Sequence, residues 1–174
     1  FLLSLCYYRE LGVEKDMKKA VDWSKKAAEQ GLPEAQFALG VHYEDGTGVA
    51  CDMEQAFCWY TKAAKQDLPV AQFKLGMCYY YGQGVEQDSG KAVYWWTKSA
   101  EKGNADAQNN LAYCYEYGEG VERDIEKAIY WYREAAEQGN AEAQHNLGYC
   151  YLEGEGVEKD EKTAIYWLTK AAEQ

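Results

Sequence analysis

The chain is short of histidine, proline and positive charge. Two His among 174 residues leave little of the imidazole on which hydrolytic and metal chemistry most often depends. Lys and Arg number 18 against 29 Asp and Glu, a net charge of −11, with a pI near 4.7. That deficit argues against a nucleic-acid binder, whose phosphate affinity comes from clustered Lys and Arg, and against a basic helix lying on a membrane surface. No apolar run approaches the ~18 residues of a spanning helix, and no signal-peptide pattern opens the sequence. What is present is apolar and aromatic. Hydrophobic residues make up 47% of the chain, too many for disorder and enough, at this length, to bury a core. The 16 Tyr and 6 Trp are the unusual entries in the composition.

A strict period organises them. Trp23, Trp59, Trp95, Trp131 and Trp167 are spaced by 36 residues. So are Asp16, Asp52, Asp88, Asp124 and Asp160, and Ala20, Ala56, Ala92, Ala128 and Ala164. Fifteen of the 16 glycines fall into four such columns, with Gly90 outside them. The length divided by the period, 174/36, gives about 4.8 copies of one unit. The boundaries read as a partial repeat at 1–30 and repeats at 31–66, 67–102, 103–138 and 139–174.

One unit predicts two helices. Asn140 is an N-cap, and Ala143, Leu147, Gly148 and Tyr151 follow at helical spacing. Gly154-Glu155-Gly156 ends that helix, since glycine takes the left-handed conformation of a helix end. Asp160 caps a second helix whose inner stripe reads Ala164, Trp167, Ala171 and Ala172. Pro33 and Pro69 take the first-turn slot, where a missing N–H costs nothing. Gly40, Gly76, Ala112 and Gly148 let backbones approach, and the Leu39, Tyr43 and Trp59 types fill the space between. Each unit buries its apolar face only by stacking on its neighbours, so the expected architecture is an all-α solenoid.

The strings AEAQHNLGYCYLEGEGVEKDEKTAIYWLTKAAEQ and ADAQNNLAYCYEYGEGVERDIEKAIYWYREAAEQG resemble Sel1-like repeats, relatives of the tetratricopeptide repeat. The resemblance covers essentially the whole chain through A-Q-x-x-L-G-x-x-Y, G-x-G-V, the capping Asp and A-x-x-W. Asp67 replaces an inter-repeat glycine, Ala112 the helix glycine and Glu10 a turn glycine. The resemblance implies a right-handed α/α superhelix that binds other proteins and is not an enzyme, with no cofactor. Phe1 aligns with positions inside the first helix of later repeats, and neither end reads as a polar capping repeat. A segment of a longer array is expected.

Six cysteines raise the question of disulfides or metal. Cys6, Cys78, Cys114 and Cys150 share a column that His42 interrupts. Equivalent positions on stacked helices lie roughly 8–10 Å apart, beyond the ~7 Å that a disulfide tolerates. Cys51 and Cys58 are separated by about 9 Å along a helix. Small buried thiols, with no bridge and no metal site, are expected, and unpaired thiols favour a reducing, cytoplasmic setting. A cysteine-rich bacterial branch of the resembled family staples its repeats at the Ala28 and Gln36 types of position, which carry no cysteine here. His42 reads as a packing variant and His145 as a surface residue. Ser99-Ala100-Glu101-Lys102 matches a catalytic S-x-x-K string, but Ser99 stands in the column of Ala27, Ala63, Ala135 and Ala171 and its companion motifs are absent.

Binding is expected in the first-helix columns that packing does not need. In related tetratricopeptide arrays these columns line the concave groove. Here they hold Tyr8 and Arg9; Glu34, Phe37, Val41, Glu44 and Asp45; Phe73, Met77, Tyr80 and Tyr81; Asn109, Tyr113, Glu116 and Tyr117; and His145, Tyr149, Leu152 and Glu153. Six of the 16 tyrosines fall there, and tyrosine gives rigid contact area with a polar tip. Seven acids (Asp106 and Glu142 complete the count) against Arg9 suit a peptide with apolar anchors and Lys or Arg. The expected role is a scaffold or adaptor for a protein or peptide partner. The alternative is a regulatory or specificity arm of a larger protein with its catalytic domain elsewhere. Tyr94, Tyr130 and Tyr166 form a second column through which self-association is conceivable.

Overall fold

A computed structural model describes all 174 residues, Phe1–Gln174, as ten α-helices with no strand. They fall into two compact units. Unit 1, residues 1–87, holds α1 (Leu2–Arg9), α2 (Met17–Glu29), α3 (Pro33–Asp45), α4 (Met53–Ala64) and α5 (Pro69–Tyr81). Unit 2, residues 88–174, holds α6 (Ser89–Ala100), α7 (Ala105–Tyr117), α8 (Ile125–Glu137), α9 (Ala141–Glu153) and α10 (Glu161–Ala172).

The even-numbered helices start where the aspartate column predicts. Asp16, Asp52, Asp88 and Asp124 each accept the backbone N–H three residues on, at 2.9–3.1 Å, and Asp160 accepts that of Thr163 at 3.2 Å. These bonds stabilise the ionised carboxylate. The Lys19 and Lys91 amides hold Asp16 and Asp88 below the ordinary range, and the Lys127 and Thr163 side chains lead the same effect at Asp124 and Asp160. The odd-numbered helices start differently in the two units. In unit 1, Leu32 and Leu68 donate no side-chain cap, and Pro33 and Pro69 open α3 and α5. In unit 2, Asn104 and Asn140 accept from Ala107 and Ala143.

The odd helices α3, α5, α7 and α9 end in left-handed glycines, Gly46, Gly82, Gly118 and Gly154. The two non-glycine residues with positive φ are Glu10 at 60° and Asp67 at 67°. Both stand where the sequence departs from a glycine column, so the backbone keeps its shape and the side chain bears the strain. The second glycine of each Gly-Xaa-Gly turn has a different task. Gly48 lies against the Met17 carbonyl, where an added Cβ would sit 2.5 Å from the oxygen. At Gly48, Gly84 and Gly120 backbone therefore meets backbone where a turn crosses the start of a preceding helix, whereas Gly156 meets the side chains of Ile125 and Ile129.

A buried glutamine ties each repeat to the one before it. Gln36 donates to the Ala28 carbonyl, Gln72 to Ala64, Gln108 to Ala100 and Gln144 to Ala136, at 3.0–3.2 Å. These carbonyls belong to the last turns of helices, where each also accepts the backbone N–H three residues on at 2.9–3.0 Å, so the amide fills the remaining lone pair. Three of the glutamines receive a second bond: Gln66 donates to Gln36, Gln138 to Gln108 and Gln174 to Gln144.

The cores form around the alanine, leucine and glutamine columns. In unit 1, Val21, Ala28, Ala35, Leu39 and Trp59 form one buried cluster. In unit 2, Ala112, Ala128, Ile129, Tyr132, Ala135, Ala136, Ala143, Leu147 and Cys150 form another. The tryptophan column packs against these cores unevenly: Trp59 is buried in the unit 1 cluster, and Trp131 and Trp167 lie against the unit 2 cluster. Trp95, Trp131 and Trp167 are only half-buried, and Trp23 is 37% exposed. The deep position is the next one along, filled by Ser24, Tyr60, Trp96 and Tyr132. In unit 1 the helix turns Tyr60 toward α3, where it covers the bare backbone of Gly40.

The cysteines also divide. No disulfide forms among them. Cys78, Cys114 and Cys150 are buried as expected, whereas Cys51 and Cys58 are exposed. Cys51 precedes the Asp52 cap and its thiol reaches back to the Glu44 carbonyl at 3.2 Å. Gln87 and Arg123, in the same column, reach Tyr80 and Glu116 in the same way, so that column finishes a helix from outside the core. Burial pushes the thiol of Cys78 up to about 11 and those of Cys114 and Cys150 up to about 12. A thiol-exchange reagent on the native protein is expected to consume Cys51 and Cys58 rapidly and to reach the three buried thiols only on unfolding. Mass mapping of the modified residues checks this; rapid labelling of Cys114 would contradict the core assignment.

Candidate partner-binding face

The packed stripe of each first helix leaves an opposite stripe bare, and the structure sorts the candidate residues by depth. In unit 1, Tyr8, Arg9, Glu34, Asp45 and Tyr81 are exposed, and Phe37, Val41, Glu44, Phe73, Met77 and Tyr80 are half-buried. Phe37 packs its ring 5.7 Å from Tyr60, and Tyr80 meets Tyr81 edge-on at 5.0 Å. In unit 2, Tyr113, Tyr117, His145, Tyr149 and Glu153 are exposed, and Glu116 and Leu152 are half-buried. Tyr113 and Tyr117 lie with ring centroids 4.6 Å apart. Asn109 is placed differently. It is buried to 5% exposure, donates to Glu142 and accepts from Asn146, so its amide joins α7 to α9 instead of facing outward.

The acids of this face are less free than the sequence suggests. Tyr60 of α4 donates its hydroxyl to Glu44, and Lys74 of α5 lies 2.8 Å from the same carboxylate. In unit 2, Tyr132 of α8 donates to Glu116 at 2.6 Å. Burial, then the acid's hydrogen bond, drives both tyrosine phenols far above their ordinary range, so each remains a donor at any physiological pH. Asp106 accepts from Asn140 and Glu142 from Asn109. The two carboxylates that the tyrosines hold were missed as fixed groups, because their donors lie 16 residues on, in a column whose identity changes from repeat to repeat.

His42 marks the inner boundary of the face. It is buried in the cysteine column, its ring 5.9 Å from Tyr8. Burial lowers its pKa below the usual 6.5, with the charge of Asp45 opposing. The unfolded chain therefore takes up this proton before the folded one does, and stability is lost as pH falls below about 6.5. Replacing His42 with Cys, the residue its column otherwise holds, is expected to flatten that part of the stability curve. Thermal midpoints measured between about pH 7 and pH 5 check this, and equal slopes for both proteins would refute it.

No group of three or more His, Cys, Asp or Glu side chains converges as a metal site. Ser99 of the S-x-x-K string is fully buried in α6. No helix is long and apolar enough to cross a membrane.

Paired helices, glycine-closed turns and the glutamine tie define a helical-hairpin repeat protein of the α/α-solenoid class. The chain belongs to the Sel1 repeat family, whose model matches residues 1–32, 33–68, 69–104, 105–140 and 141–174. Sel1 repeats are generally non-catalytic scaffolds that mediate protein interactions. Among solved structures, the chain is similar to a protective antigen of uropathogenic Escherichia coli displaying an SLR fold (39% identity, TM-score 0.95). That match covers 99% of this chain and 37% of the antigen. A Sel1 repeat protein from Oxalobacter formigenes gives 38% identity and a TM-score of 0.93, over 99% of this chain and 71% of that one. A shorter match, 47% identical over 49 residues, is to the chitin synthase regulator SKT5 of Saccharomyces cerevisiae, covering 26% of this chain and 7% of the regulator. The chain thus spans well under two thirds of the length of both the yeast regulator and the E. coli antigen.

Proposed function

We propose that the chain is a non-catalytic adaptor that binds an extended protein segment, apolar and basic in character, on the bare face of its first helices. The observation that carries this reading is the exposure of tyrosines on helices whose other side is fully packed. Tyr81 and Tyr117 are each 59% exposed, and Tyr8, Tyr113 and Tyr149 are exposed as well. Large aromatic groups left in water at a cost of apolar contact are the usual anchors of an interface. The net charge of −11 favours the approach of a basic partner, and the family's general role in protein interaction agrees. A second reading, that the segment is the recognition arm of a larger protein, is favoured by the small share of the yeast regulator that it matches.

Partner capture tests the proposal. Tyr81→Ala and Tyr117→Ala together are expected to weaken retention of the partner about tenfold or more, with circular dichroism unchanged. Undiminished capture by a folded double variant would remove the face from consideration.

A further inference from the structure

We propose that unit 2 carries a seat for one lysine side chain of the partner, formed by the Glu116 carboxylate and the rings of Tyr113 and Tyr117. The inference rests on the first-helix face being the binding face, and it names what that face reads.

The two units solve the same position differently. In unit 1, Glu44 is held from below by the Tyr60 hydroxyl and is met by the ammonium of Lys74, with Nζ 2.8 Å and 3.1 Å from its two oxygens. In unit 2, Glu116 and Tyr132 repeat the first half of that arrangement, 72 residues on. The residue that corresponds to Lys74 is Asn146, and its amide turns to Asn109 at 3.3 Å. Glu116 therefore keeps its anchor and lacks its cation.

The surroundings have changed in the sense that a cation requires. Tyr113 stands where unit 1 has Val41, and Tyr117 where it has Asp45. An acidic neighbour that would have left surplus negative charge is replaced by an aromatic ring, whose centroid lies 4.6 Å from that of Tyr113. The charge of Glu116 is the main influence raising the Tyr117 phenol above its ordinary value, and the phenol's own hydrogen bond to that carboxylate adds to it, so an incoming ammonium takes over a place that Tyr117 marks out. Lysine over a tyrosine face is a contact this fold makes repeatedly: Lys127 lies 5.3 Å from the Tyr115 centroid and Lys98 5.3 Å from that of Tyr94. A fixed carboxylate for the charge and aromatic walls for the methylene stem together select lysine over an apolar side chain of equal length. Tyr132 supplies the rigidity, since its buried hydroxyl sets the carboxylate before any ligand arrives.

The test uses Nα-acetyl-lysine amide as the probe, with Nα-acetyl-norleucine amide as its uncharged counterpart. Ring resonances of Tyr113 and Tyr117 are followed by NMR in the whole chain, in Glu116→Gln and in Asn146→Lys. The lysine probe is expected to give saturable shifts with an affinity of about millimolar, and the norleucine probe none. Glu116→Gln, which keeps an acceptor for Tyr132, is expected to weaken binding about fivefold, the size of one exposed ion-pair or cation–π contact. Asn146→Lys is expected to abolish it, by filling the seat from within as Lys74 does in unit 1. Equal response to both probes, or shifts unaltered by Asn146→Lys, overturns the proposal. The two readings separate in partner capture. Loss with Tyr81→Ala but not with Asn146→Lys refutes the lysine seat alone, whereas indifference to both Tyr81→Ala and Tyr117→Ala refutes the binding face itself.

Discussion

Gly84→Ala is expected to destabilise the chain by about 3 kcal/mol or more, among the most damaging single-methyl additions available to it. Gly84 has φ +70°, and a Cβ there would fall on the carbonyl oxygen of Met53 and 2.5 Å from its carbon. Those atoms are backbone in the first turn of α4, so no side chain can swing aside. The proper control is Gly31→Ala. Gly31 has φ +90° but nothing within 4 Å of the added Cβ, and its column already carries Asp67 at φ 67°. Only the left-handed conformation is then penalised, at about 1 kcal/mol. Urea unfolding of the two variants checks the difference. Equal losses would mean that the close approach of turn and helix contributes nothing. The sequence agrees with the expected order: the column of Gly48, Gly84, Gly120 and Gly156 contains glycine alone, while the roomier columns contain Glu10 and Asp67.

Tyr132→Ala is expected to cost about 3–5 kcal/mol, the range for truncating a large buried ring, and to leave Glu116 without its buried donor. Trp131→Ala, the removal of a larger and strictly periodic residue one place earlier, is expected to cost roughly 1–2 kcal/mol, because its ring is only half-buried. Thermal denaturation of both decides whether depth or periodicity marks the core. A Trp131 variant less stable than the Tyr132 variant would reverse the assignment.

That contrast shows what the sequence displays and what it hides. Helix starts, helix ends and the repeat length are local, and identical residues at 36-residue spacing announce them: the aspartate caps, the turn glycines, the alanines. The deep position is not local. Its column holds Ser24, Tyr60, Trp96, Tyr132 and, half-buried at the end of the chain, Leu168, and where the counterparts within one unit are seen, each residue fits its own. Ser24 pairs with Ser4, their hydroxyls 2.6 Å apart. Tyr60 lies over Gly40, and Leu168 over Gly148. A column whose members change with their partners is invisible to a search for repetition, and the constant tryptophans beside it draw attention instead. The same blindness applied to the candidate face of the first helices. The exposed tyrosines were legible as residues spared from the packing stripe, but Glu44 and Glu116 read as free charge until the hydroxyls beneath them came into view. Asn109 looked like an outward position because its column holds Phe37, Phe73 and His145, and it turns inward to serve Glu142 and Asn146.

The glutamine tie has an evolutionary consequence. Each one joins a side chain to a carbonyl only 8 residues earlier, and in three of the four a second bond reaches 30 residues, less than one period. Excising 36 residues, or a whole multiple of 36, therefore brings a matching donor and acceptor together at the new joint, while a cut out of register strands both. Duplication obeys the same rule in reverse. Such a chain can change its reach by unequal recombination without inventing an interface, and its exposed tyrosines and acids are then free to diverge repeat by repeat, as the Lys74 and Asn146 positions already have.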